Sequence, residues 1–199
     1  SFVTTLGQST YEEIARIISK ETYGKAIKGH TYYSKINQKI NQEINVVIKE
    51  LNEGKRSPNW NEEIIRLNKL KTSASKVLIK LKITMDLYIP RFKNNIPFYA
   101  EIKSPKPNKD QCLQTKQKLL KVYFSEDWEG DYVFFAFPYN PYSSRNNYDH
   151  PHIKSVFKIP DSPKLLMGQE FWNFIGGNGC YLKLLELAKK AGEKINLLS

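Results

Sequence analysis

Val77-Leu78-Ile79-Lys80-Leu81-Lys82-Ile83-Thr84-Met85-Asp86-Leu87-Tyr88-Ile89 alternates apolar and polar side chains throughout. Val77, Ile79, Leu81, Ile83, Met85, Leu87 and Ile89 fall on one face, and Lys80, Lys82, Thr84, Asp86 and Tyr88 on the other. A period of two is the pattern of a strand with one face buried. After a short break the pattern resumes, with Phe98, Ala100 and Ile102 apolar and Tyr99, Glu101 and Lys103 polar. Lys93-Asn94-Asn95-Ile96 lies between, and Asn tolerates the positive φ of a tight hairpin turn. With Asn94 and Asn95 at the turn, Asp86 falls opposite Lys103 and diagonal to Glu101, on one face. Same-face partners across a hairpin lie roughly 5 Å apart and diagonal ones about 7–8 Å. Pro90 and Pro97 each remove a ladder donor and invite a bulge. A register shifted by two residues still leaves both carboxylates on one face.

Two converging carboxylates make a hard-oxygen site suited to Mg²⁺, which is held by one or two carboxylates and keeps several waters. Asp86 and Glu101 are the candidate ligands, with the carbonyl of Ile102 as a further one. Lys103 is placed to orient or deprotonate a water, or to neutralise a phosphate. These parts suit phosphodiester hydrolysis. The plain alternative is a surface hairpin in which Lys103 pairs with the two acids. Glu53-Gly54-Lys55 repeats the Glu-x-Lys spacing, but in a loop that ends a helix.

The 199 residues suit a single domain able to bury a core. Thirty-one basic and twenty acidic side chains leave a net charge of +11, which favours a polyanionic partner, nucleic acid first. No apolar run reaches transmembrane length and no signal peptide is visible, so a membrane role is not expected. Cys112 and Cys180 lack metal-type spacing and read as free thiols of a reducing cytoplasm.

Residues 1–75 read as mainly helical. Ser9-Thr10-Tyr11-Glu12 is a capping-box pattern that predicts a helix from about Thr10. Ile36, Ile40, Ile44, Val47, Ile48 and Leu51 predict a second helix ending at Gly54, and Pro58 opens a third. Thr72 to Ser75 breaks the pattern. Residues 76–160 carry the catalytic sheet and a loop directed at DNA. Ser104-Pro105-Lys106-Pro107 holds the strand exit open before a helix from about Asp110 to Val122. Glu126, Asp127, Glu129 and Asp131 mark a solvated loop. Tyr132-Val133-Phe134-Phe135-Ala136-Phe137 is apolar enough for a central strand covered on both faces. A polar aromatic loop follows from Pro138 to His152, then a short strand over Ser155 to Ile159. In 161–199, Leu165 to Phe174 and Tyr181 to Ala191 read as two final helices, joined by a Gly176-Gly177-Asn178-Gly179 turn. His150-Pro151-His152 reads as a phosphate contact or a plain loop. The fold class is α/β, a mixed sheet flanked by helices.

A strand bearing Asp, a hairpin and then Glu-x-Lys running into a helix resembles the PD-(D/E)XK nuclease superfamily. Asp86-Leu87-Tyr88-Ile89, Phe98-Tyr99-Ala100-Glu101-Ile102-Lys103-Ser104-Pro105-Lys106-Pro107-Asn108, Tyr139-Asn140-Pro141-Tyr142 and Leu166-Met167-Gly168-Gln169-Glu170-Phe171-Trp172-Asn173-Phe174-Ile175-Gly176-Gly177 more narrowly resemble the TdeIII/MjaII-type family of type II restriction endonucleases. The resemblance implies a Mg²⁺-dependent homodimer that cuts double-stranded DNA at a short palindrome of GGNCC type. It assigns metal binding to Asp86 and Glu101 and catalysis to Lys103. It also implies a Glu from an upstream helix, for which Glu12, Glu13, Glu43 and Glu50 compete, with Glu43 preferred. Met85 stands where the superfamily motif has Pro.

For such a substrate, Lys106, Lys109, Lys116, Lys118 and Lys121 are candidates to grip phosphates. Arg145 is the first candidate to read guanine, whose N7 and O6 accept a forked pair of donors. Asn140, Asn146, Asn147, Gln111 and Gln114 follow. Two other classes fit the same features: a junction or repair nuclease of the superfamily, and a DNA-binding protein without catalysis.

Overall fold

A computed structural model describes residues 7–73, 77–128 and 130–196. Ser75 and Glu129, which figured in the sequence reading, lie outside the described residues. In chain order the elements are α1 (Gln8–Tyr23), β1 (Ile27–Asn37), α2 (Gln38–Asn52), α3 (Trp60–Ser73), β2 (Leu78–Ile89), β3 (Phe98–Ile102), α4 (Lys109–Tyr123), β4 (Val133–Phe137), α5 (Pro151–Lys154), β5 (Leu165–Met167), α6 (Gln169–Gly176) and α7 (Cys180–Asn196). The strands form one five-stranded sheet in the order β1-β2-β3-β4-β5. β1, β2 and β3 pair antiparallel, and β3, β4 and β5 parallel. The mixed sheet flanked by helices is the α/β fold expected.

Each face of the sheet has its own core. On one side Ile40, Ile44, Val47 and Leu51 of α2, Trp60 and Leu67 of α3, and Leu113, Leu119 and Leu120 of α4 pack on Tyr99, Val133, Phe135 and Phe137. On the other, Tyr11 and Ala15 of α1 and Phe171, Trp172 and Ile175 of α6 pack on Leu87, Ile89, Phe98, Ala100, Ile102, Phe134 and Ala136. All five residues of β4 are buried, as its unbroken apolar run requires.

β2 does not keep its odd residues on a single face. Ile83 and Met85 belong to the first core, whereas Leu87 and Ile89 belong to the second. The exchange happens at Asp86, and the residue across the β1–β2 ladder is Gly29, held at φ 63 between the pairs Lys28↔Leu87 and His30↔Met85. A left-handed residue inside a strand is a local kink that glycine adopts without penalty. The kink turns the strand from one core to the other at the carboxylate.

The hairpin register is two residues away from the one expected. Leu87 pairs Ala100, Tyr88 pairs Tyr99 and Ile89 pairs Phe98, so Asp86 comes level with Glu101 instead of Lys103. Asn94 and Asn95 do take positive φ, of 56 and 61, but inside a longer loop that Phe92 N–H closes on the Ile96 carbonyl. The prolines at 90 and 97 end the ladder early, and the extra loop residues move the register.

Four further expectations change. The helical segment 1–75 contains β1, the edge strand, and Ile36 closes that strand instead of opening α2; Asn37 caps α2 by accepting from Lys39 N–H at 2.9 Å. α1 starts at Gln8 behind Gly7, with no side-chain cap from Ser9. Ser155 to Ile159 forms no strand: turns after α5 occupy that stretch. The fifth strand is Leu165–Met167, taken from the start of an expected helix, and Gly168 at φ 50 turns the chain into α6. The glycine-rich join after α6 is a helix stop and turn, with Gly177 and Gly179 at positive φ.

Candidate active site

β2 and β3 part company just where the acidic residues sit. The last ladder pair is Leu87↔Ala100, and beyond it the Asp86 carboxylate takes over: its Oδ2 accepts the Ile102 N–H at 2.8 Å. The same Oδ2 accepts from Lys103 Nζ at 3.0 Å, so Oδ1 takes neither donor. Lys103 Nζ also lies 2.9 Å from Glu101 Oε1. Glu101, on β3, is only 4 % exposed, and Lys118 of α4 reaches in to place its Nζ 2.9 Å from each of its oxygens. The result is a closed quartet of two carboxylates and two ammoniums. A carboxylate this buried stays charged only with such partners.

The quartet sets the character of Lys103. Burial by itself pushes its amine pKa down, but the charges of Glu101 and Asp86 outweigh burial and hold it above the ordinary lysine range. Lys103 is therefore a firmly held ammonium in this state, a donor and not a base.

The donor set fits a hard divalent ion: carboxylate oxygens on Asp86 and Glu101, with the Ile102 carbonyl between them in sequence. Among the described residues no group of three or more His, Cys, Asp or Glu is close enough to hold a metal. A bound ion would complete its shell from water and phosphate. The expected helical Glu does not join the site. Glu43 accepts from Arg66 Nε at 2.6 Å, and Glu50 pairs with the same arginine. Glu12 faces Lys28 at 3.4 Å, and Glu13 binds Arg16.

The segment after the Glu-x-Lys triplet is clamped from the polar loop. Tyr148 donates its hydroxyl to the Pro105 carbonyl, and His150 Nε2 lies 2.8 Å from the Pro107 carbonyl. His150 thus supports the strand exit. Asn108 and Gln111 then form a reciprocal capping box that starts α4, the helix that delivers Lys118.

Several DNA-contact candidates have other employment. The Arg145 guanidinium donates to Glu170 and to the carbonyls of Pro160, Ser162 and Leu165, so every one of its N–H groups is engaged. As folded it has no fork to offer a guanine. Lys116 is wholly buried, 2.6 Å from Glu63, and cannot grip phosphate. Gln111 is spent in the cap, and Asn140 accepts from the Tyr142 N–H at 2.8 Å. Gln114, Asn146 and Asn147 are exposed. Lys109 Nζ donates to the Asn52 carbonyl at 2.6 Å, and Lys106 Nζ sits 5.5 Å from the centre of the Tyr142 ring. Lys118 belongs to the carboxylate cluster. The sequence carried no signal for that last role, because it depends on how α4 lies across the sheet.

A family model described as "Type II restriction endonuclease, HinfI" matches residues 1–192. This chain belongs to the HinfI family of type II restriction endonucleases. Its relatives include the type II restriction enzyme HgiCII of Herpetosiphon aurantiacus, 31 % identical over 197 residues that cover 96 % of this chain and 70 % of the relative. HgiEI of the same organism is 32 % identical over 199 residues, with the same coverage. MjaII of Methanocaldococcus jannaschii is 31 % identical over 185 residues, covering 87 % of this chain and 48 % of MjaII. No solved structure matches the chain. Membership makes this a protein of site-specific, DNA-cutting enzymes, the class that the resemblance implied. Among the described residues no helix is long and apolar enough to cross a membrane.

Proposed function

We propose that this restriction endonuclease homologue cuts double-stranded DNA with Mg²⁺ held by Asp86 and Glu101, at a short palindrome of GGNCC type and as a homodimer in a prokaryotic cytoplasm. The observation that carries the chemistry is the convergence of Asp86, Glu101 and Lys103 at the point where β2 leaves β3. Ile102 would add its carbonyl to the ligand set. When bound, the ion supplies Lewis-acid polarisation of the scissile phosphate.

The chain's own groups do the rest. Lys103, kept as an ammonium by the two acids, donates to the attacking water or to a non-bridging phosphate oxygen and sets the direction of attack. The water oxygen bonds to phosphorus in line as the P–O3′ bond breaks; the attacking water gives up one proton to bulk solvent, solvent returns one to the departing 3′-oxygen, and a 5′-phosphate and a 3′-hydroxyl result. Asp86 Oδ2 holds the Ile102 N–H, which fixes the triplet's backbone while the water is aligned. Lys106, two residues past the strand exit at Ser104, is the lysine we assign to a phosphate flanking the site.

Incubation of the purified chain with unmethylated phage DNA, with Mg²⁺ or with EDTA, tests the proposal. Discrete Mg²⁺-dependent fragments whose ends share one short palindrome are expected. Asp86→Ala, Glu101→Ala and Lys103→Ala should each abolish cutting while duplex binding persists. Retained cleavage in all three variants would exclude this site.

A further inference from the structure

The β1–β2 ribbon continues well past the carboxylate cluster. β3 pairs with β2 only at Leu87, Tyr88 and Ile89, whereas β1 follows β2 back as far as Leu78. Residues 78–85 therefore project beyond the end of β3 where Glu101 and Ile102 sit. At ~3.4 Å per residue that is an arm of roughly 25 Å, close to the length of seven base-pair steps at ~3.4 Å each.

One face of this arm is buried and the other is open. Tyr32↔Ile83, Ser34↔Leu81 and Ile36↔Ile79 turn inward, with Ser34, Ile36 and Ile83 buried. Thr31↔Thr84, Tyr33↔Lys82 and Lys35↔Lys80 form the outward face, where Tyr33 is 66 % exposed and all three lysines are exposed. Lys35 stands directly opposite Lys80, and Lys82 is its diagonal neighbour. Like charges directly opposed across a ladder are destabilising. These pairs carry no carboxylate, and none of the three lysines makes an ion pair among the described residues. Three exposed lysines on one face, none of them in an ion pair among the described residues, make a surface suited to an anion from outside.

We propose that the outward face of the β1–β2 ribbon, with Lys35, Lys80, Lys82 and Tyr33, is a track for the phosphate backbone of duplex DNA leading to the cleavage site. The lysines take the phosphates, and the Tyr33 hydroxyl adds a neutral donor, with one more from the Thr31–Thr84 pair, whose hydroxyls bond each other at 3.1 Å. This rests on the nuclease reading of Asp86 and Glu101 and extends it to the flanking duplex. The contacts are to backbone, so they carry affinity and register, not base identity.

The test compares wild type with the triple variant Lys35→Gln/Lys80→Gln/Lys82→Gln in binding a 30-base-pair duplex, by fluorescence anisotropy across a salt series with Ca²⁺ in place of Mg²⁺. Each phosphate contact contributes about 0.9 to the slope of log K against log salt, so the variant's slope should be shallower by roughly 2.7, with binding at 0.1 M salt weaker on the order of a hundredfold. The triple Arg variant should restore the wild-type slope, which separates charge from folding. An unchanged slope in the Gln variant, beside a wild type that binds, overturns the ribbon proposal and leaves the nuclease reading standing. An altered oligomeric state with an unchanged slope would give this face to a second copy of the chain and likewise overturn it. A wild type that neither binds nor cuts DNA would overturn the nuclease reading and this inference together.

Discussion

Replacing Lys118 with Met should tighten divalent-metal binding at Asp86 and Glu101 about tenfold. Lys118 Nζ sits 2.9 Å from both oxygens of Glu101, a carboxylate whose side chain is 5 % exposed, while Lys118 itself is 33 % exposed. A divalent ion must take those same oxygens, so it must displace Lys118 or share Glu101 with it against repulsion. Exposed ion pairs are worth roughly 0.2–1 kcal/mol, and breaking a fully buried one costs about 3–5 kcal/mol. A pair with one buried and one half-exposed partner falls between, at about 1.5 kcal/mol, which is about a factor of ten in Kd. Met keeps the length and packing of the side chain and removes only the charge. Lys103 remains 2.9 Å from Glu101 Oε1, so the carboxylate keeps a cationic partner in the variant. Isothermal titration with Mn²⁺, in the absence of DNA, measures the effect directly, with Glu101→Gln as the variant that loses the ligand. An unchanged Kd would show that Lys118 does not compete for Glu101. A weaker one would show that it holds Glu101 in the ligating position; either refutes the competition argument.

Lys103 has a folded pKa above its unfolded value, so its stabilising contribution is complete below the ordinary lysine value of ~10.4 and is lost only as pH rises through the higher folded value. Lys103→Met should therefore cost the same stability at pH 7 and pH 9, measured by urea unfolding, and a cost that vanished by pH 9 would contradict the assignment. Arg145→Ala should lower stability by about 1–3 kcal/mol, because it strands the part-buried carbonyls of Ser162 and Leu165, and should leave the preferred cleavage site unchanged. Intact thermal stability combined with relaxed site preference would return Arg145 to the role of base reader.

The convergence of Asp86, Glu101 and Lys103 was legible because it is local. Asp86, the Glu101-Ile102-Lys103 triplet and the period-two pattern around them lie within one hairpin, and a two-residue error in register leaves side chains on the same face. The mixed sheet followed from the same patterns, since a wholly apolar run such as Val133 to Phe137 has no use except in a strand covered on both sides. The rest depended on contacts between distant segments. β1 escaped notice because its edge position leaves Ile27–Asn37 half-exposed and without a clean alternation. Leu165–Met167 is a three-residue strand whose identity comes only from its parallel partner, β4.

By itself, then, the sequence determined the α/β class and the pair of acids with Lys103, because periodicity and residue chemistry are properties of a single segment. Only the tertiary structure decided which neighbours those acids have. Lys118 joins Glu101 across seventeen residues because α4 crosses the sheet there, and Arg145 is drawn into the carbonyls around β5 instead of standing ready for a base. An ammonium or guanidinium binds whichever oxygen the packed helices and loops bring within about 3 Å, and that distance is set by the whole fold.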